Sequence, residues 1–191
     1  MPPRADWPPR HLPRLPPEAY RGAAWIHWTM NLERRATGWL DALHHARLRE
    51  WLVHALGRHH LVCPAYCVMP DHAHFLWAGT DPASDHRSAA QLLRTCWNRA
   101  LRLGGHELQR HAYDHVLRAD ERRRDAVAVT ASYILSNPVR AKLAPDWRTY
   151  PYSGAVVPGY PSLDPRRDDF WTVFWRIYAG VESDEGREAH A

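Results

Sequence analysis

Two histidines with only Ala73 between them, His72 and His74, are the first residues whose types and spacing invite chemistry. They lie in the stretch Tyr66 to Thr80, YCVMPDHAHFLWAGT, which reads as a β-hairpin turning at Pro70-Asp71. A strand sends successive side chains to opposite faces, so both imidazoles leave the same face. Imidazole nitrogen is a common ligand for divalent ions, and two on one rigid face make half of a metal site. Plain structural strands contain the same spacing, so the pair alone leaves both readings open. Asp71 reads as a turn residue. Further on, Tyr133 falls on a helix, and Asn137 lies four residues later, able to share its face if the helix persists that far.

The elements that must hold these residues follow from hydrophobic period. Ile26, Trp28, Met30 and Leu32 alternate with His27, Thr29, Asn31 and Glu33, the pattern of a strand. Leu48, Trp51, Leu52, Ala55 and Leu56 recur at helical spacing, with Gly57 placed to end that helix in a left-handed turn. Strands over Val62 to Val68 and His72 to Ala78 form the hairpin. A helix from about Ser88 to Leu103 stops at Gly104-Gly105 and aligns Arg94, Asn98 and Arg102 on one face, a row suited to phosphates or to plain solvent. Tyr113 to Leu117 is a short fourth strand, and Asp120 to Ser136 a third helix. Asn137 as cap and Pro138 at the first position start a short helix to Leu143, and Phe170 to Tyr178 is a last amphipathic helix. The predicted class is α+β: a ferredoxin-like β-α-β-β-α-β sheet with an additional helix carrying Tyr133. Residues 1–22 are expected to be a Pro/Arg-rich arm and 23–153 the main domain. Residues 154–191 read as an extension with a short helix and an acidic tail from Glu182.

Composition narrows the partners. The net charge of +4 and the pI near 9.2 favour an acidic one. Between Arg87 and Arg148 stand twelve Arg/Lys against six Asp/Glu, a density that suits a phosphate backbone or a solvated basic surface. No apolar run reaches about eighteen residues, so no membrane span is expected. The start lacks an apolar signal core, and Cys63, Cys67 and Cys96 are too few for a disulfide scaffold, which fits a cytoplasmic protein. Cys63 and Cys67, four apart in one strand, are expected to share a face as core residues.

Four blocks in order carry a resemblance. MPDHAHFLW (Met69 to Trp77), AYDHVLR (Ala112 to Arg118), YILSNPVRAKL (Tyr133 to Leu143) and YPYS (Tyr150 to Ser153) resemble the blocks of the single-tyrosine HUH transposases. The nearest subgroup is the REP-associated tyrosine transposases. The resemblance covers roughly Ala24 to Ser153. It implies cleavage and rejoining of single-stranded or hairpin DNA, REP-like palindromes among them, near the nucleoid. It makes His72 and His74 ligands of Mg2+ or Mn2+, and Tyr133 the nucleophile that forms a 5′-phosphotyrosine. Asn137 would complete the metal site, a role that competes with helix capping. Tyr113 is the rival nucleophile. Arg118, Arg122, Arg123, Arg140 and Lys142 join Arg94 and Arg102 as backbone contacts. The subgroup is expected to act as a monomer, although insertion-sequence relatives exchange the tyrosine helix between subunits. Two departures stand out: Asp71 where the family often has Asn, and Leu108-Gln109-Arg110 where it commonly has an aromatic.

Overall fold

Strands β1 (Trp25–Asn31), β2 (Leu61–Met69) and β3 (His72–Gly79) form along runs rich in apolar and aromatic residues. The computed structural model describes residues 15–188. With β4 (Tyr113–Val116) and β5 (Ser153–Val156) these strands make one antiparallel sheet in the spatial order β4-β1-β3-β2-β5. Helix α1 (Ala42–Arg58) connects β1 to β2, and α2 (His86–Leu103) connects β3 to β4. The first four strands therefore have the expected ferredoxin-like arrangement. Both helices open on an aspartate. Asp41 accepts the His44 amide, and Asp85 accepts those of Arg87 and Ser88, satisfying donors that lack helical partners.

Helices cover both faces of the sheet. Ile26, Trp28 and Met30 of β1 and Ala73, Phe75 and Trp77 of β3 pack against Leu48, Leu52, Leu93 and Trp97 of α1 and α2. The opposite face presents Trp25, Leu76, Ala78 and Met69 to α3 (Arg124–Leu135) and α5 (Phe170–Glu188), through Val127, Ala131, Ile134, Phe170 and Phe174. By parity, His27, Thr29, His72 and His74 fall on this second face, beneath α3. The connection from β4 to α3 is tied locally: Glu121 accepts the Arg118 amide and contacts His115, and Arg122 Nε donates to the Leu117 carbonyl.

Several boundaries differ from the sequence reading. Gly57 lies inside α1, and His60 takes the left-handed conformation after the helix ends (φ 53°). Cys63 and Cys67 sit on opposite faces, because the β2 register shifts around Pro64, which has no N–H for the ladder. The stretch before α3 is a 3-10 turn over Asp120–Arg122, and Arg123 is extended, so α3 starts at Arg124. The short helix α4 is Asn137–Arg140, with Ser136 rather than Asn137 at the capping position. The aromatic stretch after α4 leads into β5, a fifth strand not foreseen. Its neighbour α5 packs Phe170, Phe174 and Tyr178 into the core and runs to Glu188, so the acidic residues from Glu182 to Glu188 continue a helix. Tyr20 is likewise buried, and residues 1–14 of the expected arm lie outside the described ones. No helix among the described residues is long and apolar enough to cross a membrane.

Candidate metal and tyrosine site

β3 is an inner strand, hydrogen-bonded on both edges, so His72 and His74 project from a stiff support. Their Nε2 atoms lie 3.1 Å apart. His72 Nδ1 is 2.6 Å from Asp71 Oδ1, and the other carboxylate oxygen is 2.7 Å from Arg35 Nε. The Pro70-Asp71 turn is itself pinned: Trp39 Nε1 donates to the Pro70 carbonyl, and the Leu32 amide to that of Asp71. A neutral His72 whose Nδ1–H donates to Asp71 keeps an Nε2 lone pair aimed at His74. Asp71 is thus more than a turn residue.

His74 is held from the neighbouring strand. The register of β1 against β3 aligns Thr29 with His74, and Thr29 Oγ1 and His27 Nε2 lie 3.0 and 3.1 Å from His74 Nδ1. Burial lowers the basicity of all three imidazoles. His74 is pushed down to about 2, by burial first and then by His27 and His72, and His27 to about 4, by burial and then by His115. For His72 burial outweighs the opposing pull of Asp71. All three are neutral near pH 7, the form that binds metal. Two ligands at right angles on an octahedral ion, with bonds of about 2.1 Å, are about 3.0 Å apart, so the Nε2 pair suits adjacent positions on Mg2+ or Mn2+. Among the described residues no three His, Cys, Asp or Glu side chains converge as a ligand set. Two imidazole nitrogens are the donors brought together here, fewer than a closed metal site supplies.

Tyr133 sits in the last turn of α3, 46% exposed. Its ring meets His27 edge-on, with centroids 6.3 Å apart, while the Arg140 guanidinium stacks 3.9 Å from the ring centre. Asn137 is buried. Its Nδ2 donates to the Tyr133 and Ile134 carbonyls, closing the end of α3, and its Oδ1 accepts from Arg140. The amide oxygen thus faces Arg140, which also reaches the Tyr133 carbonyl. Tyr113, 59% exposed, pairs with Thr29 across β4 and β1, so it looks out from the same sheet face, one strand beyond β1.

This arrangement of strands and helices has a solved counterpart. The chain shares its fold with a REP-associated tyrosine transposase solved bound to a REP hairpin, with a TM-score of 0.57 and 20% sequence identity, covering 78% of this chain and 82% of that one. Neither a family model nor a curated protein matches the sequence. The likeness extends to the fold that the motif resemblance implied.

The basic residues divide by what they already hold. Arg94 donates to the Gln109 and Arg110 carbonyls, Asn98 accepts the Leu108 amide, and Arg102 pairs with Glu107, so the α2 row braces the loop before β4. Arg122 is engaged with Leu117, and Arg123 pairs with Asp125. Lys142 lies exposed in a left-handed turn after α4, and Arg118 is exposed beside β4. The sequence reading passed over His27, Thr29 and Arg35. The signal for the first two was present as a second pair at period two on β1, with parity opposite to Trp28 and Met30.

Proposed function

We propose that this chain cleaves and rejoins single-stranded or hairpin DNA, with Tyr133 as the nucleophile and with Mg2+ or Mn2+ held by His72 and His74. The observation that carries the reading is the convergence of two neutral imidazole nitrogens on the sheet face beneath an exposed, arginine-stacked tyrosine. The fold shared with a hairpin-bound transposase supports it.

In this reaction the phenol oxygen of Tyr133 attacks a backbone phosphorus. A tyrosyl O–P bond forms, the P–O3′ bond breaks, and the phenol proton is made up on the departing 3′-oxygen through solvent. The product is a 5′-phosphotyrosine and a free 3′-hydroxyl, and attack by a 3′-hydroxyl reverses the step with no external energy source. A divalent ion, when bound, supplies Lewis-acid polarisation of the scissile phosphate. Arg140, stacked on the ring, brings positive charge beside the nucleophile, and with Lys142 and Arg118 it would contact the flanking backbone. Asn137 would have to exchange its bond to Arg140 to join the protein ligands of such an ion. That engaged amide favours a second reading, a hairpin-binding protein that does not cleave.

The test is a labelled hairpin oligonucleotide with a single-stranded flank, incubated with Mn2+ and run on a denaturing gel. A covalent protein–DNA band is expected that Tyr133→Phe and His72→Ala abolish and Tyr113→Phe retains. Hairpin binding without any adduct would leave the second reading in place.

A further inference from the structure

A third imidazole shares the sheet face of the histidine pair and has no role in the reading above. His27 lies on β1 between two registers, opposite Leu76 on β3 and opposite His115 on β4. Its Nε2 is 3.1 Å from His74 Nδ1, and its ring meets the Tyr133 ring edge-on. It therefore touches both the nitrogen that orients one metal ligand and the aromatic body of the nucleophile. We infer that His27 is a positioning residue that sets the His74 ring for the ion and the Tyr133 ring for attack, an inference that rests on the proposed function.

The physical case has two parts. An imidazole that ligates through Nε2 is free to turn about its Cβ–Cγ bond unless Nδ1 is held, and partners at that nitrogen commonly change metal affinity by about ten- to a hundred-fold. Here two partners hold it, both from β1. The Thr29 hydroxyl sits at 3.0 Å and turns about a single bond, whereas the His27 ring is held between His74 and Tyr133 on an inner strand. The second part concerns Tyr133. Arg140 stacks on its ring and His27 meets that ring in a T-shaped contact, so both restrain its swing toward or away from the histidine pair.

The two parts are separable by substitution. His27→Phe keeps a ring against Tyr133 and removes the bond to His74. His27→Gln keeps a polar group near His74 and removes the ring. Mn2+ binding without DNA, read from the electron paramagnetic resonance of the free ion, is expected to weaken about ten-fold in H27F and by less than about three-fold in H27Q. At saturating Mn2+ and hairpin, H27Q is expected to form the covalent adduct more slowly than H27F does. Wild-type Mn2+ affinity in H27F overturns the first half of the inference, and a wild-type adduct rate in H27Q overturns the second. Thermal melts establish whether both variants fold. If either does not, a Mg2+ titration of the wild type by 1H–15N spectroscopy takes its place: the His27 ring signals must shift together with those of His74, and a silent His27 overturns the inference. A wild-type protein that binds no Mn2+ is a different result, one that overturns the metal reading itself.

Discussion

Replacing Asp71 by alanine tests the support of the histidine pair at its most accessible point. Asp71 Oδ1 lies 2.6 Å from His72 Nδ1, with side chains 23% and 14% exposed, so the bond is charged and mostly sheltered. A hydrogen bond to a charged group is worth about 1.5–3 kcal/mol when buried, and partial exposure argues for the lower end. About 1.5 kcal/mol corresponds to roughly a ten-fold loss in Mn2+ affinity, which agrees with the lower limit for removing a ligand's outer partner. Arg35 adds little, being half exposed and already bonded to Asn31. Asp71→Asn separates charge from orientation. Its amide oxygen still accepts the Nδ1 proton, a neutral bond has about half the strength of a charged one, and the expected loss is therefore about three-fold. Calorimetric titration with Mn2+ at pH 7.5 in moderate salt measures all three proteins. The reasoning fails if the alanine variant, folded by its melting curve, binds Mn2+ within about two-fold of a wild type that itself binds.

Three further outcomes follow from other parts of the molecule. Gly79→Ala places a Cβ on the Gly22 backbone carbonyl, which has no flexible atom to yield, so a loss of about 3 kcal/mol or failure to fold is expected in urea titration. His86 is fully buried, with Nε2 bonded to the Ala24 carbonyl, and burial pushes it down to about 3, so the unfolded chain binds its proton first. Stability is then greatest above about pH 6.5 and falls toward pH 4 with a slope approaching about 1.4 kcal/mol per pH unit for this one residue, as melting curves across that range would register. His45, lowered to about 4 by burial and by Arg49, adds a smaller contribution of the same sign. Arg140→Lys keeps the charge but loses the planar face stacked on Tyr133, so the single-turnover adduct rate at saturating hairpin is expected to fall about five-fold, with an unchanged rate showing that the stacking is unused.

Much of the frame was legible in the sequence because it rests on local period. Alternation marked β1, the turn at Pro70-Asp71 marked the hairpin of β2 and β3, and helical spacing marked α1 and α2, so the β-α-β-β-α-β succession and the shared face of His72 and His74 followed. What stayed hidden depends on register and on partners distant in sequence. His27 and Thr29 become partners of His74 only because β1 pairs with β3 in one alignment; a shift of one residue would turn them to the other face. The bulge at Pro64 inverted the expected parity of Cys63 and Cys67 through a single extra residue. β5 has only four residues, SGAV, too short a run to announce a strand before β2 is there to pair with it. Asn137 carries the signature of a cap, and it does close a helix, but through its side chain at the end of α3 rather than at the start of α4.

The tie between β4 and α3 has a kinetic consequence. Glu121, Arg122 and the amide of Arg118 fasten that short connection to itself, and α3 packs over the sheet of its own chain with the Tyr133 ring against His27. With the proposed function, this packing predicts that the site assembles within one chain. The fraction of protein converted to adduct per minute, at fixed saturating DNA and Mn2+, is expected to stay constant on dilution, with no lag and no second-order regime. A helix contributed by a twin would instead make each chain's competence depend on how often it meets another.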